Sequence, residues 1–386
     1  MRLLHVVPTY LPAIRYGGPI YAVHGLCRSL AQRGHQVDVV TTNADGSAES
    51  DVPLGVPVDL DGVSVRYFAT AAVPLARRLY FSPPMRRWLE VHVQDYNLVH
   101  LHSVFLCPTW AAARAARHRR VPYLVSPRGM LVPELIDRKN SLIKRVWIGA
   151  VERRTFTNAA AVHFTSPQEW DDAIQTGIPL RAPFVVPNGI DLPALAPSSS
   201  SRGSGTILFL GRINWKKGID LLIDAMALVP EARLIVAGND EESLLPRLRE
   251  QAERNGTIGR IEFAGPVSGA VKQNLLETSA ALVLPSHSEN FGNVVLEAMA
   301  AATPVIVSPE VGLAGAVAES GAGFVVDRSP AAVATAIRQL LRDPDEAVAM
   351  GRRGRALVES RYIWTRVAAD MEQQYATLTA ATRTGR

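Results

Sequence analysis

Apolar residues along this chain fall in short, nearly unbroken runs rather than in strict alternation. The first half carries LLHVV (3–7), VDVVTT (37–42), VSVRYF (63–68), LVHLH (98–102), YLVSP (123–127) and AVHFTS (161–166). Runs of this length, rich in β-branched residues, read as strands buried on both faces, which is the habit of parallel sheets. Between several of them the period becomes helical, as over Ile20 to Gln32, where Arg33-Gly34 supplies a stop. After residue 190 the pattern breaks in LPALAPSSSSRGSG (192–205), a Pro, Ser and Gly stretch that reads as an exposed connection. The alternation then restarts with TILFLG (206–211), ARLIVAG (232–238), IEFAG (261–265), AALVLPS (280–286), TPVIVS (303–308) and GFVVD (323–327).

Two successive βα arrays predict two Rossmann-like domains facing each other across a cleft. The expected boundaries are 1–190 and 205–361, with a C-terminal helix over about 362–386 returning to the first domain. A length of 386 residues suits two domains. Composition adds little: 47% hydrophobic and 20% charged residues are ordinary for a globular protein. Two cysteines, Cys27 and Cys107, with no Cys/His spacing for zinc, predict a reducing setting and a cytoplasmic location. MRLLHVVPTY lacks a basic n-region, and no run reaches the ~18 residues of a spanning helix. The net charge of +5 points to an anionic partner.

Open parallel sheets bind ligands at the C-terminal ends of their strands, so the candidate chemistry is sought there. After the first strand, Gly17-Gly18 precedes Pro19 at a helix start, where free amides and the helix dipole favour an anion; a plain turn is the alternative. His100 and His102 stand at strand spacing and share one face. His102, at the edge, is the candidate donor to a sugar hydroxyl or leaving oxygen, and His100 reads as structural. Arg212 and Lys217 flank the first strand-to-helix junction of the second array, a pairing that suits a diphosphate, with Lys216 turned to solvent. In SENFGNVVLEAMA, Glu289 lies in a loop and Glu297 about one turn inside a helix of apolar neighbours, where an unpaired carboxylate is costly. Carboxylates that bracket loop amides fit the hydroxyls of a nucleotide sugar.

These motifs, in this order and over essentially the whole chain, resemble the retaining glycosyltransferases of family 4, which have the GT-B fold. The resemblance rests on the E-x7-E spacing, GRINWKKG upstream, GGP near the N-terminus, the VHLH strand end and a C-terminal YIWTRVAADMEQQY. It implies that Glu297 holds the ribose hydroxyls and Glu289 the transferred sugar, with amides from Asn290, Phe291, Gly292 and Asn293 in support. It further implies Arg212 and Lys217 on the diphosphate, Gly17 and Gly18 against the phosphates, His102 at the donor sugar and Gly265 near the base. Ala302 stands where the family often has glycine, with no functional consequence expected.

No acidic D-x-D pair lies beside the expected diphosphate. Asp59-Leu60-Asp61 reads as a turn before a strand, and Asp343-Pro344-Asp345 as a polar loop. The expected chemistry therefore has no metal and no cofactor beyond a UDP- or GDP-linked sugar. Front-face attack with retention is what the resemblance implies, toward a saccharide or lipid-linked acceptor in polysaccharide or glycolipid assembly. A sugar-nucleotide epimerase of the same architecture is the alternative. A nucleic-acid binder is disfavoured, because the basic residues are dispersed and no motif for it is present. One further reading concerns the membrane: Leu142, Ile143, Val146, Trp147, Ala150 and Val151 form a stripe flanked by Lys139, Lys144, Arg145, Arg153 and Arg154, and the segment RRLYFSPPMRRWLE (77–90) adds Arg77, Arg78, Arg86, Arg87 and Trp88. That stripe is either a core-facing helix or an interfacial surface on anionic lipid.

Overall fold

The computed structural model describes residues 1–13, 17–46, 48–138, 141–194 and 205–384. Most of the expected connection over 192–205 and the basic residue Lys139 lie outside the described residues, as does the Ile143 side chain. The chain forms two compact units: Met1–Gly189 with Trp364–Arg386, and Ile190–Ile363.

The main sheet of unit 1 is built from β1 (Arg2–Val6), β2 (Gln36–Thr42), β3 (Pro57–Leu60), β4 (Val63–Phe68), β5 (Leu98–His102), β6 (Tyr123–Ser126), β7 (Ala161–Phe164) and β8 (Pro183–Val185). They pair in the order β8-β7-β6-β5-β1-β2-β4-β3, parallel except for the edge hairpin of β3 and β4. Asp61-Gly62 makes that hairpin's turn. Alternate residues feed two layers. Leu4, Val6, Val99, Leu101 and Val125 pack with α2 (Cys107–His118), while Leu3, Leu98, Leu124 and Ala161 face the opposite way. On that second face lies α1 (Gly18–Gln32), which buries Ile20, Val23, Leu26, Cys27 and Leu30, a stripe of helical spacing.

Unit 2 holds β9 (Thr206–Leu210), β10 (Arg233–Ala237), β11 (Ile261–Gly265), β12 (Ala281–Leu284), α3 (Asn293–Ala300), β13 (Val305–Val307) and β14 (Gly323–Val325). The all-parallel order β11-β10-β9-β12-β13-β14 is the 3-2-1-4-5-6 winding, whose direction reverses between β9 and β12. Its core runs through Leu208, Phe209, Leu282, Val283, Leu296 and Met299. Asp343 is not a free loop carboxylate: it caps the helix Pro344–Arg361 by accepting from the Glu346 amide at 3.0 Å.

After unit 2 the chain re-enters unit 1 as α4 (Trp364–Thr384), which lays Val367, Ala368, Met371 and Tyr375 against the α1 face of the sheet. No helix among the described residues is long and apolar enough to cross a membrane.

Candidate functional site

The reversal point of the unit 2 sheet gathers the charged residues singled out in the sequence. β9 leads into a single 3-10 turn, Trp215–Lys217, that ends at Gly218 with φ +64°. A Cβ at Gly218 would stand 2.2 Å from the Pro285 carbonyl oxygen, so only glycine lets this turn rest against the end of β12. The turn aims Lys217 at Glu289, and the two form an ion pair with side chains 13% and 18% exposed. Burial alone would push the Glu289 carboxyl up, but Lys217, aided by Arg212 and Lys216, holds it below the ordinary carboxylate range.

Backbone bonds fix where Glu289 stands. Its amide donates to the Glu310 carbonyl at 3.1 Å, and its carbonyl accepts from Gly312 at 2.9 Å. Arg212 pairs with Glu241 at 2.7 Å, and Asn214 donates to the other Glu241 oxygen at 2.8 Å. Lys216 differs from its expected place in solvent. It is half-buried, and burial, with Arg212 next, lowers its pKa.

Gly292 caps α3, and the Glu297 carboxylate projects from the first turns of that helix. One oxygen, Oε1, takes a 3.0 Å ion pair from Lys272; the other, Oε2, is buried with no partner. A buried acceptor left open in this way is suited to a ligand hydroxyl. Phe291 differs from the other loop residues, since its ring is buried edge-on to Tyr362 in the core. It can offer a ligand backbone only. Gly265 ends β11, and its carbonyl is taken by the Gly238 amide at 2.8 Å.

The remaining predicted residues belong to unit 1. Gly17 is the capping residue of α1, and Gly18 opens that helix ahead of Pro19. His102 is fully buried and belongs to a larger polar cluster that the sequence reading missed. His5 pairs with His100 across β1 and β5, and His102 with Ser126 across β5 and β6. With His163 they share the face that α4 covers. Two hydrogen-bond chains run through the cluster. A guanidinium only donates, so Arg128 fixes His102 Nδ1, at 3.3 Å, as an acceptor. His102 Nε2 then donates to His5 Nδ1 at 3.0 Å, leaving the His5 Nε2 hydrogen buried without a partner. In the second chain, His163 Nε2 donates to the Val186 carbonyl at 2.8 Å. It follows that the Ser126 hydroxyl donates to His163, His100 donates to Ser126, and Tyr375 donates to His100.

Burial foremost, with the Arg128 charge behind it, lowers His5 and His163 to about 3. Burial likewise holds His100 and His102 well below the ordinary value. His5, His100 and His102 offer ring nitrogens within 4.8 Å of one another, the spacing of a metal site. The Arg128 cation beside His102 opposes a second positive charge there. Arg128 itself follows β6, with φ +56°, and reaches Asn188 at 2.8 Å. The adjacent Gly129 amide is anchored on buried Glu169 at 2.7 Å. An Arg-Gly pair straight after a strand was the available signal.

The tryptophans expected at an interface are otherwise engaged. Trp88 packs with Phe68, Tyr96 and His92, and Trp147 donates to buried Glu152 at 2.9 Å. Arg86 is paired with Glu90, and Arg77 with Glu49.

Solved structures of the same architecture define the class. A sucrose-phosphate synthase from Thermosynechococcus elongatus superposes with a TM-score of 0.81 at 23% identity, over 98% of this chain and 99% of that one. Anabaena HepE, solved in complex with UDP and glucose, gives 0.76 at 19% identity, over 97% and 99%. The fold is therefore GT-B, that of a large class of glycosyltransferases. Family models complete the assignment. The one for glycosyl transferases group 1 matches 196–357, and the one for the glycosyl transferase 4-like domain matches 17–189. The glycogen synthase of Mycobacterium tuberculosis is 28% identical over 97% of this chain and 94% of its own. The phosphatidyl-myo-inositol mannosyltransferase of Mycobacterium leprae is 28% identical over 94% and 93%. This chain belongs to the family-4 type of GT-B glycosyltransferases.

Proposed function

We propose that unit 2 binds a nucleotide-diphosphate sugar at the ends of β9 and β12, and that the enzyme moves the sugar, with retention, to a saccharide or lipid-linked saccharide. The observation that carries this reading is the clustering of Arg212, Lys217, Glu289 and Glu297 at the winding reversal of the sheet. Arg212 and Lys217 meet the diphosphate and stabilise the charge that grows on it as the glycosidic bond breaks. Glu297, with Oε2 open, takes the ribose hydroxyls. Glu289 orients the reacting sugar, and backbone near Gly265 meets the base. Amides of Asn290, Phe291, Gly292 and Asn293 support sugar and phosphate.

The leaving phosphate takes the acceptor proton on the face that it vacates, so no protein carboxylate need act as nucleophile. Donor contacts for Gly17 and Gly18 belong to the same reading. His102 is left out of it, because it is buried with both ring nitrogens engaged, one by Arg128 and one by His5. A UDP or GDP donor fits these backbone-rich base contacts, and the Anabaena HepE complexes with UDP and UDP-glucose support such a co-substrate. The acceptor reading places the enzyme in polysaccharide or glycolipid assembly, at the cytoplasmic face of a membrane, bound peripherally.

The test is a thermal-shift screen against UDP, GDP, ADP and their sugars, followed by turnover with candidate acceptors and NMR of the product's anomeric centre. Stabilisation by one nucleotide series and an unchanged anomeric configuration support the reading. Conversion of the donor to its epimer without acceptor, or an inverted product, overturns it.

A further inference from the structure

On the α2 side of unit 1 lies a recess of about 230 Å³ that none of the candidate donor-site residues lines. Its wall carries Arg114, Arg117 and His118 from α2 and Arg154 from the helix Arg153–Thr157, with Trp110 and Ala150 between them. Trp110, Arg114, Arg117 and His118 follow the three- and four-residue spacing of one helix face. The lining holds no carboxylate. None of the four basic side chains makes an ion pair or hydrogen bond among the described residues. Basic residues in the last turn of a helix are ordinary, because they meet its negative end. That accounts for Arg117 and His118, and for Arg154 in the last turn of its own short helix, but not for Arg114, nor for the meeting of cations from two separate helices in one recess. The carboxylate nearest in sequence, Glu152, is turned inward to the Phe105 amide and the Trp147 indole, and cannot neutralise them.

A second feature adjoins the recess. The helix Ser141–Trp147 exposes Leu142 and Val146, at 77% and 71%. Ala150 follows at the same four-residue spacing, so an uncovered apolar stripe leads to the wall of the recess. Guanidinium forks without partners match the oxygens of a phosphoryl group, and large exposed apolar side chains beside them match the acyl layer beneath a headgroup.

We propose that this recess binds the phosphomonoester headgroup of an anionic membrane lipid, with Leu142 and Val146 seated in the interfacial layer. The proposal deepens the membrane part of the functional reading and leaves the transfer chemistry untouched. It replaces the tryptophans and Arg86 as the contact surface.

The test is co-sedimentation of the full chain with vesicles of phosphatidylcholine alone, with added phosphatidic acid, and with added phosphatidylglycerol at matched surface potential. Binding to phosphatidic acid should exceed that to phosphatidylglycerol by about tenfold, the scale of one well-placed cation at a membrane surface. The double variant Arg114→Gln, Arg154→Gln should fall to the phosphatidylglycerol level, and Val146→Asp should weaken binding to both. Equal binding at matched potential, or a double variant that keeps its preference, overturns the proposal. So does a titration in which inorganic phosphate binds the protein and is lost in the double variant while vesicles never bind. Turnover on a soluble acceptor should be unchanged in the double variant, so the membrane site and the transfer reading fail separately.

Discussion

Lys217 and Glu289, 72 residues apart in sequence, form an ion pair that ties the turn after β9 to the loop after β12. The residue expected on the diphosphate and the residue expected on the sugar are therefore each other's partners. In the proposed reaction, a donor arriving here must share the Lys217 ammonium with a carboxylate that is already ionised.

Removing one partner should be worse than removing both. Lys217→Ala strands the Glu289 charge and should cost about 3 kcal/mol of stability, as breaking a buried pair does. In Lys217→Ala, Glu289→Gln part of that loss should return, because no charge is left unpaired. Lys217→Ala should also lower kcat/KM by about 10²- to 10³-fold, the scale of losing one charge-stabilising donor. Denaturant unfolding and steady-state kinetics decide, and a single variant as stable as wild type would count against the pair.

The two glutamates should separate kinetically. In the proposed reaction Glu297→Ala removes a ground-state contact, and it should raise the donor KM roughly tenfold or more with kcat little changed. Glu289→Ala should lower kcat more than it raises KM, since it positions the reacting centre. Calorimetry with the free nucleotide gives an independent reading of Glu297. Equal, small effects at both positions would sink the assignment.

Stability should fall as the medium is acidified, well before most carboxylates titrate. His5 and His163 are lowered to about 3 in the folded protein, and His100 and His102 are also lowered. In the unfolded chain each titrates near 6.5, so below that pH the unfolded state binds more protons and gains on the folded one. Each such histidine costs about 1.4 kcal/mol per pH unit below 6.5. Thermal midpoints should therefore drop steadily between pH 7 and pH 5, and His163→Gln should flatten the slope. A flat profile in wild type would mean that these imidazoles are not held neutral.

Activity is expected to survive chelation. In the proposed reaction the charge on the departing diphosphate falls to Arg212 and Lys217, and the two D-x-D matches are used elsewhere: Asp61 accepts from His24 in a 2.9 Å contact, and Asp343 caps a helix. Turnover after EDTA treatment checks this. Complete loss, restored by magnesium or manganese, would reverse the expectation.

Most strands were legible because they are buried on both faces, which writes a nearly uninterrupted apolar run into the chain. β3 and β8 were not, being short edge strands that each begin with proline and bury little. Charged residues at strand ends were legible for a related reason, since a strand end is visible in one dimension. Their partners were not. Glu241 lies 29 residues from Arg212, Lys272 lies 25 from Glu297, and Arg128 lies 26 from His102. Each is delivered by the neighbouring elements of the fold, which no local pattern encodes. Trp147 misled in the opposite direction. An aromatic ring on a basic helix looks available, yet this one is hydrogen-bonded to a buried carboxylate.

Trp364 begins α4 with its ring wedged against two backbones. A Cβ placed on Gly25 would lie 2.3 Å from the ring, and one on Gly189 would lie 2.4 Å from it. Behind it, Met371 and Tyr375 fill the sheet face of unit 1, and Tyr375 terminates the His100 chain. On the ribosome these residues emerge after all of unit 2. The unit whose synthesis starts first is thus the one completed second, and until α4 arrives one face of its nascent sheet is covered by α1 but not by α4. A chain cleaved near residue 363 would keep the whole of unit 2 and leave unit 1 without the helix that packs Met371 and Tyr375 on its sheet.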